Sequence, residues 1–349
     1  MYSFACDYLE GCHAEVLRAL CETNMEQAPG YGEDRFTNTA REEIREACAD
    51  PEASVWFVNG GTQTNQLIID TGLQPYEGVL AAETGHVNVH EAGAIEFSGH
   101  KVLTLPSHDG KVAAADVEAY ARHFYGDANH EHMVFPGMVY ISHPTEYGTL
   151  YSARELEELS GVCHENHLKL FLDGARLGYG LMARGADVTL PLVDQLCDVF
   201  YIGGTKVGAL SGEAVVFPKG KEPAHFLTRI KQHGALSAKG RLVGVQFAAL
   251  FRDDLYFRIS RHAIEKAMEI RRIFEDAGCR LYIDSPTNQQ FVVLKKSVLQ
   301  ELGKYVGYEF WEETDEDHVV VRFASSWATT EDGIDQLRHA VAVCIKSSG

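Results

Sequence analysis

One lysine stands where the local pattern says that the chain enters the core. Lys206 lies in the stretch CDVFYIGGTKVGALSGEAVVF, residues 197–217, between two apolar runs. Burying an unpaired lysine costs several kcal/mol unless the amine gives up its proton. A neutral amine in such a place can condense with a carbonyl group. The stretch therefore indicates a lysine that is kept for chemistry.

A second feature is the glycine turn NGGTQTN, residues 59–65, which follows an apolar strand. The backbone N–H groups of its two glycines, the hydroxyls of Thr62 and Thr64 and the helix dipole would together form a cradle for an anion. The alternative is an ordinary strand-to-helix turn that needs glycine for its tight geometry. The spacing matches neither the P-loop nor the dinucleotide-binding pattern.

The third feature is a carboxylate and a guanidinium in KLFLDGARLGYG, residues 169–180. Asp173 ends a buried strand, at the edge where open α/β sheets bind their ligands. Arg176 follows three residues later and has two interpretations. Either the two side chains pair with each other, or Asp173 faces a cationic nitrogen and Arg176 faces an anionic carboxylate.

The three features together match the requirements of a pyridoxal phosphate site. Such a site needs a holder for the phosphate, an acid for the pyridine nitrogen and a desolvated amine for the Schiff base. The glycine turn, Asp173 and Lys206 supply these groups in the expected chain order. We therefore predict pyridoxal phosphate as the cofactor.

The elements that must position these residues alternate between short apolar strands and helices. The pattern predicts a strand at 55–58 before the glycine turn, a single helix over HVNVHEAGAIEFSG (86–99) and a helix at 153–166. Such alternation is typical of an α/β fold with a mostly parallel sheet covered on both faces.

The character of the chain changes after Gly220. A long helical region at about 223–277 precedes alternating strands and a last helix, which predicts a smaller α+β domain. The predicted organisation has three parts. They are an N-terminal segment (1–30) that joins the small domain or an interface, a large cofactor-binding domain (31–245) and a small C-terminal domain (246–349).

Composition limits the classes of partner. The net charge of −19 over 349 residues argues against nucleic acid and anionic membranes, whose phosphates need clustered lysine and arginine. No run approaches the roughly 18 apolar residues of a membrane-spanning helix. The eight cysteines form no C-x-x-C pair, so we predict no metal site, reduced thiols and a cytoplasmic location.

The motifs resemble those of the low-specificity threonine aldolases, which belong to the β-eliminating lyase group of fold-type I pyridoxal phosphate enzymes. The resemblance spans essentially the whole chain. It implies a large domain with a seven-stranded, mostly parallel sheet between helices, and a smaller C-terminal domain. The matching segments are FACDYLEGCHAEVLRAL, GYGEDRFT, GGTQTN, HVNVHEAGAIE, PTEYGTLYS, FLDGARLGYGL, GGTKVGAL with GEAVVF, and VVVRFASSW.

The resemblance implies a role at the cofactor for several residues. Lys206 would form the Schiff base, and Asp173 would keep the pyridine nitrogen protonated. His86 would stack on the cofactor ring and act as base at the substrate hydroxyl. Gly61 and Thr62 would hold the phosphate. The implied position of Thr205 is beside the phosphate. The candidates for a second phosphate contact are Lys231, Lys239 and Arg241.

The resemblance also implies a set of substrate contacts. Arg176 and Arg322 would clamp the substrate α-carboxylate. Cys6 stands where the family often has a serine that contributes to carboxylate binding, and Thr145 belongs to the substrate-binding motif. Tyr31 would reach an active site across a subunit interface, in a homodimer or homotetramer with shared sites.

The implied reaction is retro-aldol cleavage of L-threonine, L-allo-threonine and related β-hydroxy-α-amino acids to glycine and an aldehyde. Glu146 leaves a second reaction open, because many family members carry a histidine in N-T-H-x-G where this chain reads PTEYG. The alternative is a β-eliminating lyase or an amino-acid racemase on the same scaffold. A non-enzymatic phosphate-binding module that uses the glycine turn is an alternative of a different class.

Overall fold

The computed structural model describes residues 1–345, and its secondary structure alternates as predicted. The strands are β1 (Tyr2–Ser3), β2 (Ser54–Val58), β3 (Glu77–Ala82), β4 (Val102–Leu105), β5 (Phe135–Ser142), β6 (Lys169–Asp173), β7 (Val199–Gly203), β8 (Glu213–Phe217), β9 (Arg280–Leu281), β10 (Gln289–Lys295), β11 (Val306–Gly307), β12 (Glu309–Glu313) and β13 (His318–Ala324). The α-helices are α1 (Ala14–Thr23), α2 (Arg35–Cys48), α3 (Gly61–Gly72), α4 (His86–Val89), α5 (Ala94–Phe97), α6 (Ala114–Gly126), α7 (Ala153–Glu165), α8 (Leu177–Leu181), α9 (Leu190–Leu196), α10 (Phe226–Gln232), α11 (Arg241–Phe251), α12 (Leu255–Asp276), α13 (Lys296–Leu302) and α14 (Glu331–Cys344). Short 3-10 helices cover His130–His132 and Arg252–Asp254. None of these helices is long and apolar enough to cross a membrane.

Seven strands form the central sheet, in the order β4–β3–β5–β6–β7–β8–β2. Neighbouring strands are parallel except at β8, which runs antiparallel to both β7 and β2. The predicted seven-stranded, mostly parallel sheet of a fold-type I enzyme is therefore confirmed.

Helices cover both faces of this sheet, as alternating side chains of β7 show. Phe200 and Ile202 pack into the larger core cluster, with residues of α2, α7 and α11. Val199 and Tyr201 pack into the opposite cluster, with residues of α3 and α10. A strand buried on both faces reads as a continuous apolar run, which is the pattern of this segment.

The parallel strands end at one edge of the sheet, and this edge gathers the predicted site. Since β2 is parallel to β7, the turns after β2, β3, β5, β6 and β7 all lie on the same side. Those turns carry Gly61, His86, Glu146, Asp173 and Lys206. Local signals fix the elements between them; α7, for example, begins after a capping box formed by Ser152 with a glutamate.

A four-stranded antiparallel sheet, β12–β13–β10–β9, forms the sheet of the small domain. The N-terminal strand β1 pairs with β11, and Phe4 enters the small-domain core. Helix α12 contributes to both cores: its residues up to Ile264 pack into the large core, and Ile270 and Phe274 pack into the small one. The division at residue 245 stays a prediction.

Two predicted helices are broken in the structure. The segment 86–99, predicted as one helix, forms α4 and α5: α4 ends at Val89, and Ala92 (φ 51°) and Gly93 (φ 71°) then take left-handed backbone conformations before α5. The region 223–277 divides into α10, α11 and α12, with positive φ angles at Asp253 and Asp254 before α12. Left-handed residues end the α-helical hydrogen-bond pattern.

The close approach of β6 and β7 yields a stability prediction. A Cβ placed on Gly174 would lie 1.9 Å from the carbonyl oxygen of Tyr201, whereas one on Gly161, within α7, would meet no atom within 4 Å. We expect Gly174→Ala to destabilise the fold by about 1–3 kcal/mol and Gly161→Ala to stabilise it by about 0.5–1 kcal/mol. Urea unfolding of both variants would measure this, and equal midpoints would contradict the close packing described.

Candidate active site

A cavity of about 530 Å³ opens at the carboxyl edge of the sheet and extends to the small domain. Four of the predicted functional residues line it together: Lys206, His86, Arg176 and Arg322. Glu146, the residue that leaves a lyase or racemase reaction open beside aldol cleavage, also lines the cavity. Tyr8 and residues of β12, among them Trp311, complete the wall and were not predicted.

Lys206 lies in a tight turn three residues after β7. The Tyr179 hydroxyl donates a hydrogen bond to the Lys206 carbonyl oxygen at 2.6 Å, which fixes the backbone of the turn. Burial lowers the pKa of the Lys206 amine, and the positive charge of Arg176 lowers it further. An amine with a lowered pKa is a better nucleophile at neutral pH.

Asp173 ends β6 beneath the cavity and is held by several donors. The hydroxyls of Tyr140 and Tyr201 donate at 2.6 and 2.5 Å, and the Asn65 amide donates at 3.0 Å. Burial acts to raise the pKa of the Asp173 carboxyl, but the positive charge of His86 and these hydroxyl hydrogen bonds lower it below its usual value. An ionised carboxylate in this position suits a protonated ring nitrogen.

Arg176 pairs with Asp7 and not with Asp173, so the first interpretation of the DGAR motif, a pair between its own two side chains, is wrong. Its Nε and Nη2 atoms donate to the two Asp7 oxygens at 2.6 and 3.0 Å. Asn288 donates a further hydrogen bond to Asp7 at 2.9 Å. Burial acts to raise the Asp7 pKa, but the charges of Arg176 and Lys206 outweigh it and lower this pKa to about 2.

Arg322 reaches the cavity from β13 of the small domain. It donates to Gln289 at 3.0 Å and to the Ala5 carbonyl at 2.9 Å, and its guanidinium lies 5.4 Å from the centre of the Trp311 ring. Its buried Nε has no hydrogen-bond partner within residues 1–345. A buried donor that lines a cavity without a partner suits an anionic ligand.

The N-terminus of α3 carries the residues of the predicted anion cradle, but the inclusion of Thr64 is wrong, because its hydroxyl is buried and donates to the Gly60 carbonyl at 2.9 Å. The helix begins at Gly61, and no side chain caps it at Gly60. Thr62 is exposed there. The Thr205 hydroxyl is hydrogen-bonded to the buried Glu213, whose pKa burial raises to about 7. The uncapped helix end leaves its first N–H groups for an anion.

His86 belongs to a buried network that sequence reasoning missed. Its Nδ1 lies 3.0 Å from an oxygen of Glu91, which also accepts from Asn65 at 2.7 Å. Burial acts to lower the His86 pKa, but the Glu91 hydrogen bond and the charges of Glu146 and Asp173 raise it overall. The sign of this network in the sequence is the glutamate of the HVNVHEAGAIE motif.

Three predicted substrate contacts do not line the cavity. Cys6 is half-buried and hydrogen-bonded to Tyr8, which does line it. Thr145 is buried and hydrogen-bonded within its own turn, next to a residue of the cavity wall. Tyr31 is 47% exposed on a separate surface, where Lys231 Nζ lies 4.8 Å from its ring centre.

The three candidates for a second phosphate contact differ in whether their charged groups already have hydrogen-bond partners. Arg241 is engaged, because its guanidinium donates to three carbonyl oxygens in the segment that ends α1. Lys231 and Lys239 are exposed. Only these two lysines keep their ammonium groups available for a ligand of a neighbouring site.

The residues present fit the predicted cofactor. The lysine amine has a lowered pKa, the carboxylate of Asp173 is ionised, and the helix N-terminus is uncapped. The unpartnered Nε of Arg322 adds a donor for the carboxylate of an amino acid. The arrangement can bind a phosphorylated carbonyl compound and an amino acid side by side.

The chain is similar to known proteins over most of its length. The family model described as "Beta-eliminating lyase" matches residues 4–297. A low-specificity L-threonine aldolase of Pseudomonas sp. (strain NCIMB 10558) is 31% identical, over 96% of this chain and 95% of that protein. Its Pseudomonas aeruginosa counterpart is 30% identical over 97% and 96%.

Solved structures give the same result. Leishmania major threonine aldolase superposes with a TM-score of 0.95 at 39% identity, and the match covers 100% of both chains. Aspartate aminotransferase from Thermus thermophilus, with maleate, superposes with a TM-score of 0.68 at 14% identity, which shows the shared fold alone.

The buried Asp7–Arg176 pair yields a prediction about pH. Because the Asp7 pKa is lowered from 3.8 to about 2 on folding, its ionisation stabilises the fold above pH 4 by about 2 kcal/mol, and this contribution is lost as the pH falls through 2. We expect the difference in unfolding free energy between wild type and Asp7→Asn to shrink from pH 6 to pH 3. Denaturant titrations measure it.

The matched control is Glu52→Gln, which removes an exposed ion pair with Lys219. That substitution should leave the unfolding free energy unchanged within error at both pH values. A difference between wild type and Asp7→Asn that stays constant from pH 6 to pH 3 would contradict the lowered pKa of Asp7.

Proposed function

Because the chain belongs to the β-eliminating lyase family, and within it to the low-specificity L-threonine aldolases, we propose that it uses pyridoxal phosphate to cleave L-threonine, L-allo-threonine and related β-hydroxy-α-amino acids to glycine and an aldehyde. The observation that carries the proposal is the Lys206 amine. It lines the cavity with its pKa lowered, and it has no hydrogen bond or ion pair within the described chain.

The residues at the sheet edge would hold the cofactor. Lys206 would bind its aldehyde carbon, Asp173 its ring nitrogen, and Gly61, Thr62 and Thr205 its phosphate. The chemistry that pyridoxal phosphate supplies when bound is a sink for the electrons of a bond broken at the substrate Cα. Asp173 supports this sink, because its negative charge keeps a proton on the ring nitrogen.

Two arginines orient the substrate carboxylate. Arg322 offers its unpartnered Nε, and Arg176 is held in place by Asp7. Fixing the carboxylate would fix the orientation of the other substituents of Cα, and with it which bond at Cα breaks. The clamp therefore selects the reaction as well as the substrate.

His86 would move the proton that cleavage requires. As the Cα–Cβ bond breaks, the β-hydroxyl proton passes to the His86 ring and the hydroxyl oxygen becomes the carbonyl of the aldehyde. The glycine Cα then takes up a proton before release. His86 lines the cavity beside Lys206 and Glu146, within reach of a substrate bound there.

A second candidate reaction rests on Glu146. Its carboxylate shares the cavity with Lys206, so two groups able to exchange protons flank the space for the substrate Cα. That arrangement also suits a β-eliminating lyase or an amino-acid racemase. Both reactions would use the same cofactor.

We also propose a homodimer or homotetramer with shared active sites, in which Tyr31 and Lys231 serve a neighbouring subunit. Exposed apolar side chains near the N-terminus, Leu9, Leu17 and Met25, support a protein contact there. A cytoplasmic location is consistent with free thiols. The free thiols are Cys6, Cys12, Cys21, Cys48, Cys163, Cys197 and Cys279.

A substrate panel separates the candidate reactions. The purified protein, loaded with pyridoxal phosphate, is offered L-threonine, L-allo-threonine, L-serine and L-alanine. We expect acetaldehyde and glycine from the first two, measured by coupled aldehyde reduction and by amino-acid chromatography. Pyruvate from L-serine as the main product would favour the lyase, and D-alanine from L-alanine would favour the racemase.

The attachment of the cofactor is tested at Lys206. We expect Lys206→Ala to lower the cleavage rate by at least about 10³-fold, because no other amine lines the cavity within residues 1–345. Borohydride should trap the cofactor on a peptide that contains Lys206 in the wild type and not in the variant, as mass spectrometry would show. Lys219→Ala, at an exposed lysine, is the control and should behave as wild type.

A further inference from the structure

Glu91 is a fully buried carboxylate that the proposed reaction does not yet use. Its side chain is 0% exposed, and its Oε1 lies 3.0 Å from His86 Nδ1 and 2.7 Å from Asn65 Nδ2. Within residues 1–345 these are its only side-chain hydrogen-bond partners, and Oε2 has none. A carboxylate taken out of water in this way is costly, so its position indicates a function.

The chain breaks a helix to bring Glu91 against His86. In one continuous helix, residues five positions apart point about 140° away from each other, and only those three or four apart are neighbours. The helix instead ends before Glu91: α4 stops at Val89, and His90 follows with φ −125° and ψ 11°, outside the helical region. This early end lets the two side chains meet, which a continuous helix would prevent.

The contact determines which nitrogen of the imidazole carries the proton. An ionised carboxylate only accepts hydrogen bonds, so the Nδ1 atom that faces Glu91 must be the N–H donor. In the neutral ring, Nε2 is then the acceptor. His86 lines the cavity, so this is the nitrogen left for a substrate.

Asn65 joins this pair to the carboxylate of the cofactor site. The same Nδ2 group that donates to Glu91 also donates to Asp173 at 3.0 Å. One amide therefore holds two carboxylates: that of Asp173, which would bind the ring nitrogen of the cofactor, and that of Glu91 beside the histidine. The positions of His86 and Asp173 are linked through a chain of three hydrogen bonds.

We propose that Glu91 is a positioning residue that fixes His86 as its Nδ1–H tautomer and presents Nε2 to the β-hydroxyl of the substrate. Asn65, which donates to both carboxylates, holds the His86–Glu91 pair in a fixed position relative to Asp173. The logic is that of a carboxylate that orients a catalytic histidine in hydrolases. The role at the hydroxyl rests on the proposed aldol cleavage, whereas the tautomer does not.

The tautomer is tested directly by NMR on protein with ¹⁵N-labelled histidine, without cofactor, and His86→Gln identifies the signal. We expect the wild type to show a protonated Nδ1 and an unprotonated Nε2 in the neutral ring. Glu91→Gln should lose this bias. A wild-type ring protonated at Nε2 overturns the proposal, and this result needs no variant to fold.

Kinetics of L-threonine cleavage test the role in catalysis. We expect Glu91→Gln to lower kcat by about 10- to 100-fold with little change in KM. The rising limb of the kcat–pH profile should move to lower pH, because Glu91 raises the His86 pKa and its charge is then gone. The other groups that face this ring, Glu146, Asp173 and the neighbouring His90, stay unchanged.

The matched control is Glu96→Gln, at the next glutamate along the chain, which should keep both kcat and the pH limb. If Glu91→Gln keeps wild-type kcat and pH limb while Lys206→Ala is inactive, the positioning role is wrong and the aldolase proposal stands. If the wild type cleaves no β-hydroxy-α-amino acid, the proposed function fails and with it the role of Glu91 at the hydroxyl.

Discussion

The structure depends on how the positive charge of Arg176 is compensated. Arg176 lies near Lys206, whose amine must lose its own positive charge to react. Arg176 and Lys206 share one cavity, and the guanidinium is one cause of the lowered Lys206 pKa. Left unpaired, the buried guanidinium would itself be costly. Asp7 binds it through two hydrogen bonds, so the arginine stays in place for a carboxylate. Its charge meanwhile disfavours a second cation at Lys206.

This compensation comes from outside the large domain, and it ties the two domains together. Asp7 belongs to the N-terminal segment, whose first strand pairs with β11 of the small domain. It also accepts from Asn288, and the neighbouring Ala5 carbonyl accepts from Arg322. The segment therefore fixes Arg176 of the large domain and Arg322 of the small domain relative to each other.

The sequence predicts the fold and the position of Lys206 and Asp173 because both depend on local order. Apolar runs mark the strands, and the carboxyl ends of parallel strands meet at one edge. The Asp7–Arg176 pair and the Asn65–Asp173 hydrogen bond join residues 169 and 108 positions apart, which no local pattern reveals. The break at Ala92 was missed for a different reason, since alanine is the best helix former and gives no sign of a left-handed turn.

Lys206 and Asp173 are placed by backbone contacts and not by a bond between them. A Cβ on Gly174 would lie 1.9 Å from the Tyr201 carbonyl, and one on Gly203 would lie 2.3 Å from the Ala175 carbonyl. Glycine thus lets the ends of β6 and β7 touch. The register of the sheet therefore sets the separation of the amine and the carboxylate, and across that separation the charge of Asp173 acts to raise the Lys206 pKa against the effect of burial.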